Sequence, residues 1–427
     1  MHAFEPSPST RNLLLPLSLV LVLGACASPL HSGRRALDKG DYAAAHANLR
    51  PLAEDGHVEA QFLVALMHQD GQGVAADPAE AARWYRMAAE RGHPAAQNNL
   101  GLLHYQGTGV PASHDEAAKW YRMAADQGFA QSQSNLAVMH LAGTAVRKDD
   151  ARARELLKQA AASGDARSQR LYASMLREGL GGKTDPDGAA RWFAKAAEAG
   201  DTIAQMHLGL MHLEGVGVAR SERKAVRWLE RSAEGSQPLA AFALGWLTEH
   251  GQGVSADSER ALALYRTSAD LGFAPAQARL GALLLEESAD PSDAQEGVEW
   301  LERAAASGHA LAQHNLALAH LRGRGVAVDH FRAAQLFQAA AVNGLAPAQM
   351  RVGLMHEHGL GLWRDHGAAH LWYSLAASQG APGAVEARDR VAVGLNSEQL
   401  ALAERVVAES AQRPAAIETA LAKLAGD

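Results

Sequence analysis

The chain has 427 residues, of which 48% are hydrophobic and 5% aromatic, and its net charge is −7. An acidic balance without a basic tract argues against nucleic-acid binding. The single cysteine excludes a disulfide framework, a cysteine-ligated zinc site and a thiol redox pair. Alanine and glycine dominate the small residues, which favours close-packed helices over a sheet sandwich.

The first 25 residues are predicted to be a signal peptide. Arg11 precedes an apolar run over residues 13–23, which ends in small residues. At about 1.5 Å per helical residue, this run is too short to span a bilayer core of roughly 30 Å. A short apolar stretch that ends in small residues is typical of a cleaved secretory signal.

The segment Leu23-Gly24-Ala25-Cys26 resembles the cleavage motif of bacterial lipoproteins. The resemblance implies that Cys26 becomes the first residue of the mature chain and carries a lipid. Because Ala27 and not an aspartate follows, it also implies sorting to the outer membrane. An ordinary secretory signal with a chance cysteine is the alternative. Residues 26–36 are predicted to be a short tether, which would keep the protein facing the periplasm close to the membrane.

A spacing of 36 residues recurs through most of the chain and predicts a helical repeat. Each repeat contains a first helix, which ends at a glycine such as Gly107, and a second helix, which begins at a capping Ser or Asp. The predicted caps are Asp77, Ser113, Asp149, Asp185, Ser221, Asp257, Asp293, Asp329 and Asp365.

Two further sets of equivalent positions, each recurring once per repeat, predict how the helices pack. Small residues such as Gly101 and Gly245 recur in the first helix, and tryptophans such as Trp120 and Trp372 in the second. We expect the small residues to permit close helix approach and the tryptophans to fill the space opposite. A glutamine also recurs at one phase of the first helix, as at Gln97, and is predicted to hydrogen-bond loop carbonyl groups between repeats.

The residues of one repeat carry a family resemblance. They read Leu100-Gly101-x-x-His104-x-x-Gly107-x-Gly109-Val110, then Ala117-x-x-Trp120-Tyr121-x-x-Ala124-Ala125-x-x-Gly128. This pattern resembles the Sel-one-like repeat, a relative of the tetratricopeptide repeat. In six repeats a histidine replaces the tyrosine of the family pattern, and the seventh repeat lacks both loop glycines.

The resemblance covers residues 37–393 and implies an all-α fold, a right-handed superhelical solenoid of about nine helix-turn-helix repeats. It also implies a scaffold for protein complexes and not an enzyme. The residues after 380 keep the helical phase, but Arg388 and Asp389 replace the pair that would accept another repeat. We therefore predict that residues 394–427 form C-terminal capping helices.

The sequence predicts no catalytic residue, no cofactor and no metal site. Half-buried histidines with local hydrogen bonds are the favoured interpretation of the column His68, His104, His140, His212, His320 and His356. The best metal candidate is the group of His356, His358, His366 and His370, which has no acidic or cysteine partner at a defined spacing. Residues 178–184 imitate a phosphate-binding loop but lack its first glycine and the preceding strand.

The first helices are apolar on two sides, which indicates either burial on both sides or a binding surface. In helical solenoids these helices line the concave side, where a peptide or partner helix can lie. The alternative is that neighbouring first helices bury these residues against each other. The predicted partner-binding residues are Asn98, Asn99, Leu102, Tyr105, Leu141, Arg170, Met206, Leu210, Phe242, Trp246 and Arg279.

These features together predict a lipid-anchored, periplasm-facing scaffold that binds protein or peptide partners, in an envelope assembly such as secretion or polysaccharide export. One alternative is an envelope enzyme or small-ligand binder that acts on peptidoglycan-like amides. Another is a metal-handling lipoprotein that uses the histidines.

Overall fold

The computed structural model describes residues 28–287 and 290–410, and within these ranges every regular element is an α-helix. The predicted all-α class is thus confirmed. The helices are α1 (Pro29–Asp38), α2 (Tyr42–Glu54), α3 (Val58–Asp70), α4 (Pro78–Glu90), α5 (Pro94–Gln106), α6 (His114–Asp126), α7 (Ala130–Ala142), α8 (Asp150–Ala162), α9 (Ala166–Glu178), α10 (Pro186–Glu198), α11 (Thr202–Glu214), α12 (Glu222–Glu234), α13 (Pro238–Glu249), α14 (Ser258–Asp270), α15 (Ala274–Glu287), α16 (Pro291–Ala306), α17 (Ala310–Arg322), α18 (His330–Val342), α19 (Ala346–His358), α20 (His366–Ser378), α21 (Ala384–Ala392) and α22 (Ser397–Ser410).

The chain divides into two compact units between Ser163 and Gly164. In the N-terminal unit, α1 packs on α2, α3 on α4, α5 on α6 and α7 on α8. In the C-terminal unit the pairs run from α9 with α10 to α19 with α20, followed by α21 and α22 on α20. Within each unit, every second helix also packs against the first helix of the next repeat. This nearest-neighbour packing is that of a repeat solenoid, as predicted.

The predicted caps begin the second helix in eight of the nine repeats. Asp77, for example, accepts hydrogen bonds from the backbone N–H groups of Ala79 and Glu80 at 3.0 and 3.1 Å. Each such bond satisfies a donor that the first turn of a helix leaves unpaired.

The seventh repeat departs from this pattern, and the prediction of Asp293 as its cap is wrong. Asp290 caps α16 instead, accepting from the N–H of Ser292 at 2.9 Å. Pro291 occupies the first helical position, where a missing N–H costs nothing. As a result α16 has 16 residues where α6 has 13.

Close approach of the helices depends on the small residues of the first helix, as expected, but the large partner is not the tryptophan. A Cβ atom added at Gly101 would lie 2.9 Å from the ring of Tyr121, and one at Gly353 would lie 2.6 Å from the ring of Tyr373. The side chain after each tryptophan therefore faces the small residue. Successive helical side chains point about 100° apart, so the two aromatic residues serve different contacts.

Two loop positions require the left-handed backbone conformation. Gly109 has φ +71°, and a side chain there would overlap the carbonyl group of Pro78 at the start of α4. The loops after α3, α5, α11, α13, α17 and α19 thus touch the start of the preceding second helix. Ala145 takes the same place one repeat later with φ 56°, a conformation that residues with a side chain rarely adopt.

The beginning of the fold corrects the predicted tether over residues 26–36. Pro29–Asp38 is helix α1, capped by Ser28, and its buried Gly33 lies against Leu49 of α2. Proline at the first helical position and a preceding serine favour a helix start. Within the described residues, the stack therefore opens with the helix pair α1 and α2. The predicted signal peptide and Cys26 lie outside the described residues.

At the other end, α22 packs on α20 and buries Ala403 and Val406. Asn396 caps α22 by accepting from the N–H of Gln399 at 2.9 Å, and the Gln399 side chain accepts in return from the N–H of Asn396 at 3.2 Å. This reciprocal pair is a capping box. Residues 411–427 of the predicted capping region lie outside the described residues. Among the helices that are described, none has the length and apolar character needed to cross a membrane.

Candidate functional site

Three of the six histidines in the column hydrogen-bond the loop of their own repeat. In His140, His212 and His356 the ring Nδ1–H donates to a loop carbonyl seven residues later, at 3.1, 3.2 and 3.0 Å. Burial lowers the pKa of His356, which favours the neutral ring. These contacts support the structural interpretation of the column.

The four C-terminal histidines are not brought together as a group of metal ligands in the part of the chain that the structure describes. No group of three or more histidine, cysteine, aspartate or glutamate side chains lies close enough there to hold a metal ion. His356 bonds its own loop, and His370 is buried within α20.

The recurring glutamine joins neighbouring repeats, as predicted, although its acceptor is a helix carbonyl and not the predicted loop carbonyl. Its Nε2 donates to the last-turn carbonyl of the preceding second helix, as from Gln97 to Ala89 at 3.0 Å. The same bond is formed by Gln61, Gln133, Gln205, Gln277, Gln313 and Gln349. Each bond satisfies a carbonyl group that a helix end leaves unpaired.

A buried polar contact, here called the tyrosine junction, recurs between consecutive first helices. In its first copy, Tyr85 donates to Gln69 at 2.8 Å and accepts from Asn99 at 3.1 Å. In its second copy, Tyr265 donates to Glu249 at 2.6 Å, and Arg279 of the next repeat also bonds this carboxylate. Asn99 and Arg279, which we predicted to bind a partner, are therefore engaged inside the fold.

The third copy lies at the end of the repeats. Tyr373 of α20 donates to Glu357 at 2.7 Å, and Arg390 of α21 donates to the same carboxylate at 2.9 and 2.8 Å. Helix α21, which carries Arg390, thus takes the place that the first helix of a further repeat would occupy. Sequence reasoning missed these junctions because their members are 14 to 33 residues apart.

Two other predicted polar residues also connect helices. Asn98 is buried and accepts from Ser132 and Asn135 of α7 at 3.0 and 3.2 Å. Arg170 donates to Asp201 at 2.9 Å, and both side chains are largely covered. These two residues, predicted to bind a partner, thus connect one first helix to the next repeat.

The apolar residues of the prediction differ in exposure. Met206 is buried, whereas Leu102, Tyr105, Leu141, Leu210 and Phe242 are half-buried. The Trp246 side chain is 42% exposed and stacks on His250 with a ring distance of 4.4 Å. Of the two interpretations made from the sequence, burial therefore applies to Met206, and an accessible apolar surface applies to the other six residues. We call the six residues that keep exposed apolar surface the first-helix face: Leu102, Tyr105 and Leu141 in the N-terminal unit, and Leu210, Phe242 and Trp246 in the C-terminal unit.

Two histidines on first helices, the half-buried His207 and the buried His314, were not singled out by sequence reasoning. Burial, together with the neighbouring Arg177, lowers the pKa of His207 to about 4. The guanidinium of Arg177 lies 2.9 Å from Nδ1 of His207, which must accept this bond because a guanidinium can only donate. Burial beside Arg351 likewise lowers the pKa of His314 to about 4. Both rings are therefore neutral at pH 7.

Nine segments match the family model of the Sel1 repeat: 58–93, 94–129, 130–165, 166–201, 202–236, 238–273, 274–309, 310–345 and 346–380. The chain belongs to the Sel1-repeat family. Members of this family are typically non-enzymatic scaffolds and generally bind protein partners.

Two solved Sel1-type structures are similar to this Sel1-repeat chain. One is a protective antigen present in uropathogenic Escherichia coli strains, described as displaying an SLR fold. It is 31% identical, with 92% of this chain and 93% of that chain covered and a TM-score of 0.52. The other is a Sel1 repeat protein from Oxalobacter formigenes. It is 28% identical, with 57% of this chain and 97% of that chain covered and a TM-score of 0.53. No curated protein matches this chain.

Proposed function

We propose that this Sel1-repeat protein is a lipid-anchored scaffold that faces the periplasm from the outer membrane and binds other proteins through the first-helix face. The observation that carries the proposal is the set of half-exposed apolar side chains on the first helices of each unit, beside polar residues that are bonded within the fold, such as Asn98 and Arg170. An apolar helix face of this kind is a surface that a partner helix or peptide can cover.

Two further observations support the envelope location. Cys26 follows an apolar run and two small residues in the order that lipoproteins use. The similar Escherichia coli protein is described as a protective antigen, and an envelope location fits that description. An envelope assembly such as secretion or polysaccharide export is the class of partner that we propose.

Replacing Trp246 by aspartate is expected to weaken partner binding by at least about tenfold, because an exposed tryptophan that a partner covers is the typical hot-spot residue. The measurement is affinity capture from detergent-solubilised membranes, with the retained proteins quantified by mass spectrometry. Trp246 is the suitable position because its side chain is 42% exposed. Phe242 is not, because its ring packs against Tyr265 and Phe273 with ring distances of 5.6 and 5.5 Å.

Trp363→Asp is the matched control, since this tryptophan is 91% exposed and lies in the loop before α20. Both variants should keep the helical circular dichroism of the wild type. An unchanged set of captured proteins for Trp246→Asp would contradict a role of this face.

Replacing Cys26 by alanine is expected to abolish incorporation of labelled palmitate and to release the protein from the membrane fraction. Acyl chains contribute about 0.8 kcal/mol of membrane affinity for each buried methylene group. Ser28→Ala, two residues later, should stay labelled and membrane-bound. A wild-type protein that takes up no label would disprove the lipid anchor while leaving the first-helix face untouched.

A further inference from the structure

A basic pocket lies on the second-helix side of the C-terminal unit. It has a volume of about 900 Å³ and opens between α10 and α12. Four cations line it, Arg191 from α10 and Lys224, Arg227 and Arg231 from α12, against the single carboxylate of Asp187. Such a local excess of positive charge is unexpected in a chain whose net charge is −7.

The repeat pattern explains why these cations are available. In the N-terminal unit, Arg83 forms an ion pair with Glu80 at 2.8 Å, three residues earlier. Lys119 pairs with Glu116 in the same way at 3.3 Å. A glutamate at this spacing on a helix neutralises the cation that follows it.

The same two positions lack the glutamate at the pocket. Gly188 precedes Arg191 by three residues, and Lys224 precedes Arg227. Arg191, Lys224, Arg227 and Arg231 form no ion pair with any residue of the described ranges. The substitution of a glycine and a lysine for the glutamates thus turns a neutralised surface into a cationic one.

The lining of the pocket also has an apolar part, which Leu208 of α11 and the half-buried indole of Trp228 provide. The guanidinium of Arg231 lies 5.1 Å from the centre of this indole ring. A ligand that fits the pocket therefore carries anionic groups at its edge and apolar groups toward Leu208 and Trp228.

We propose that this pocket binds an extended acidic segment of a partner protein. Arg191 and Arg227 occupy equivalent positions on consecutive second helices, and both line the pocket together with Lys224 and Arg231. A compact anion such as phosphate neutralises only part of the charge of four cations. Alternate side chains of an extended peptide lie about 7 Å apart and can pair with two of these cations, while the intervening side chains can contact Leu208 and Trp228. This inference rests on the proposed function, because it concerns a partner protein, but it uses a different surface from the first-helix face.

The test is fluorescence anisotropy with a labelled octapeptide of alternating glutamate and leucine, titrated with the full detergent-solubilised protein. The variant R191E/R227E should bind the peptide at least about tenfold more weakly, and the wild-type affinity should fall as salt is added. The matched control is K158E/R223E, which makes the same charge change at two exposed cations that do not line the pocket. This control should bind within about twofold of the wild type.

Equal weakening in both variants would overturn the proposal, because the attraction would then be that of overall charge. So would a wild-type protein that does not bind the peptide, or inorganic tripolyphosphate that displaces it at a tenth of the peptide's own dissociation constant. Capture of partners through the first-helix face should be unchanged in R191E/R227E. The proposed function is tested separately by Trp246→Asp: loss of partner capture in that variant supports it, and unchanged capture contradicts it.

Discussion

Replacing Trp372 by alanine is expected to lower the free energy of unfolding of the C-terminal unit by about 4 kcal/mol. The Trp372 side chain is completely buried. It belongs to the core cluster that also contains Phe337 of α18 and Ala403 and Val406 of α22. Removing the indole leaves a cavity where three helices meet, and a cavity of that size is not refilled by relaxation.

Urea denaturation followed by far-ultraviolet circular dichroism measures this loss of stability. Faster hydrogen exchange in α20 and α22 would show that these two helices are the ones destabilised. Trp363→Ala removes the same side chain nine residues earlier, where it is 91% exposed. That control should change stability by less than about 0.5 kcal/mol. Equal destabilisation by the two substitutions would contradict the packing described for α22.

Replacing Glu357 by alanine is expected to lower the free energy of unfolding by about 2 kcal/mol at pH 7. The carboxylate is 8% exposed and accepts from Tyr373 at 2.7 Å and from Arg390 at 2.9 and 2.8 Å. Its loss leaves the Tyr373 hydroxyl without its acceptor and frees Arg390 from α19. The junction that closes the last repeat would then open.

The dependence of this loss on pH provides a sharper test. Bonding by Arg390, followed by Tyr373, lowers the pKa of Glu357 from 4.5 to about 2. A carboxyl group whose pKa is lower in the folded state stabilises the protein above its unfolded pKa. That stabilisation disappears as the pH falls from about 4.5 to about 2.

The difference in stability between the wild type and Glu357→Ala should therefore narrow over this range of pH, which thermal unfolding at a series of pH values measures. Glu214→Ala is the control, because Glu214 is exposed and has no ion pair within the described residues. It should follow the wild type at every pH. Parallel curves for the wild type and Glu357→Ala would disprove the assigned role.

The sequence by itself determined the repeat, the helices and most of their ends. A period of 36 residues locates every repeat that the family model matches, because identical neighbours require identical contacts. Aspartate and serine at the helix starts, as at Asp77 and Ser113, satisfy local donors only two or three residues away. The glutamine ladder was also predictable, since its phase repeats and its acceptor lies eight residues before it, as for Gln97 and Ala89.

Only the tertiary structure decided which polar side chains are used inside the fold. Periodicity places Asn98 and Arg279 on a helix face, but their partners, Asn135 and Glu249, are 37 and 30 residues away on other helices. The tyrosine rather than the tryptophan faces the small residue of the first helix, which depends on how the two helices are rotated. The charge of the basic pocket likewise emerges only when Arg191, Lys224, Arg227 and Arg231 line one pocket with the single carboxylate of Asp187. The repeat pattern determines where a residue lies along and around its own helix. Packing between helices determines which residue of another helix lies opposite it.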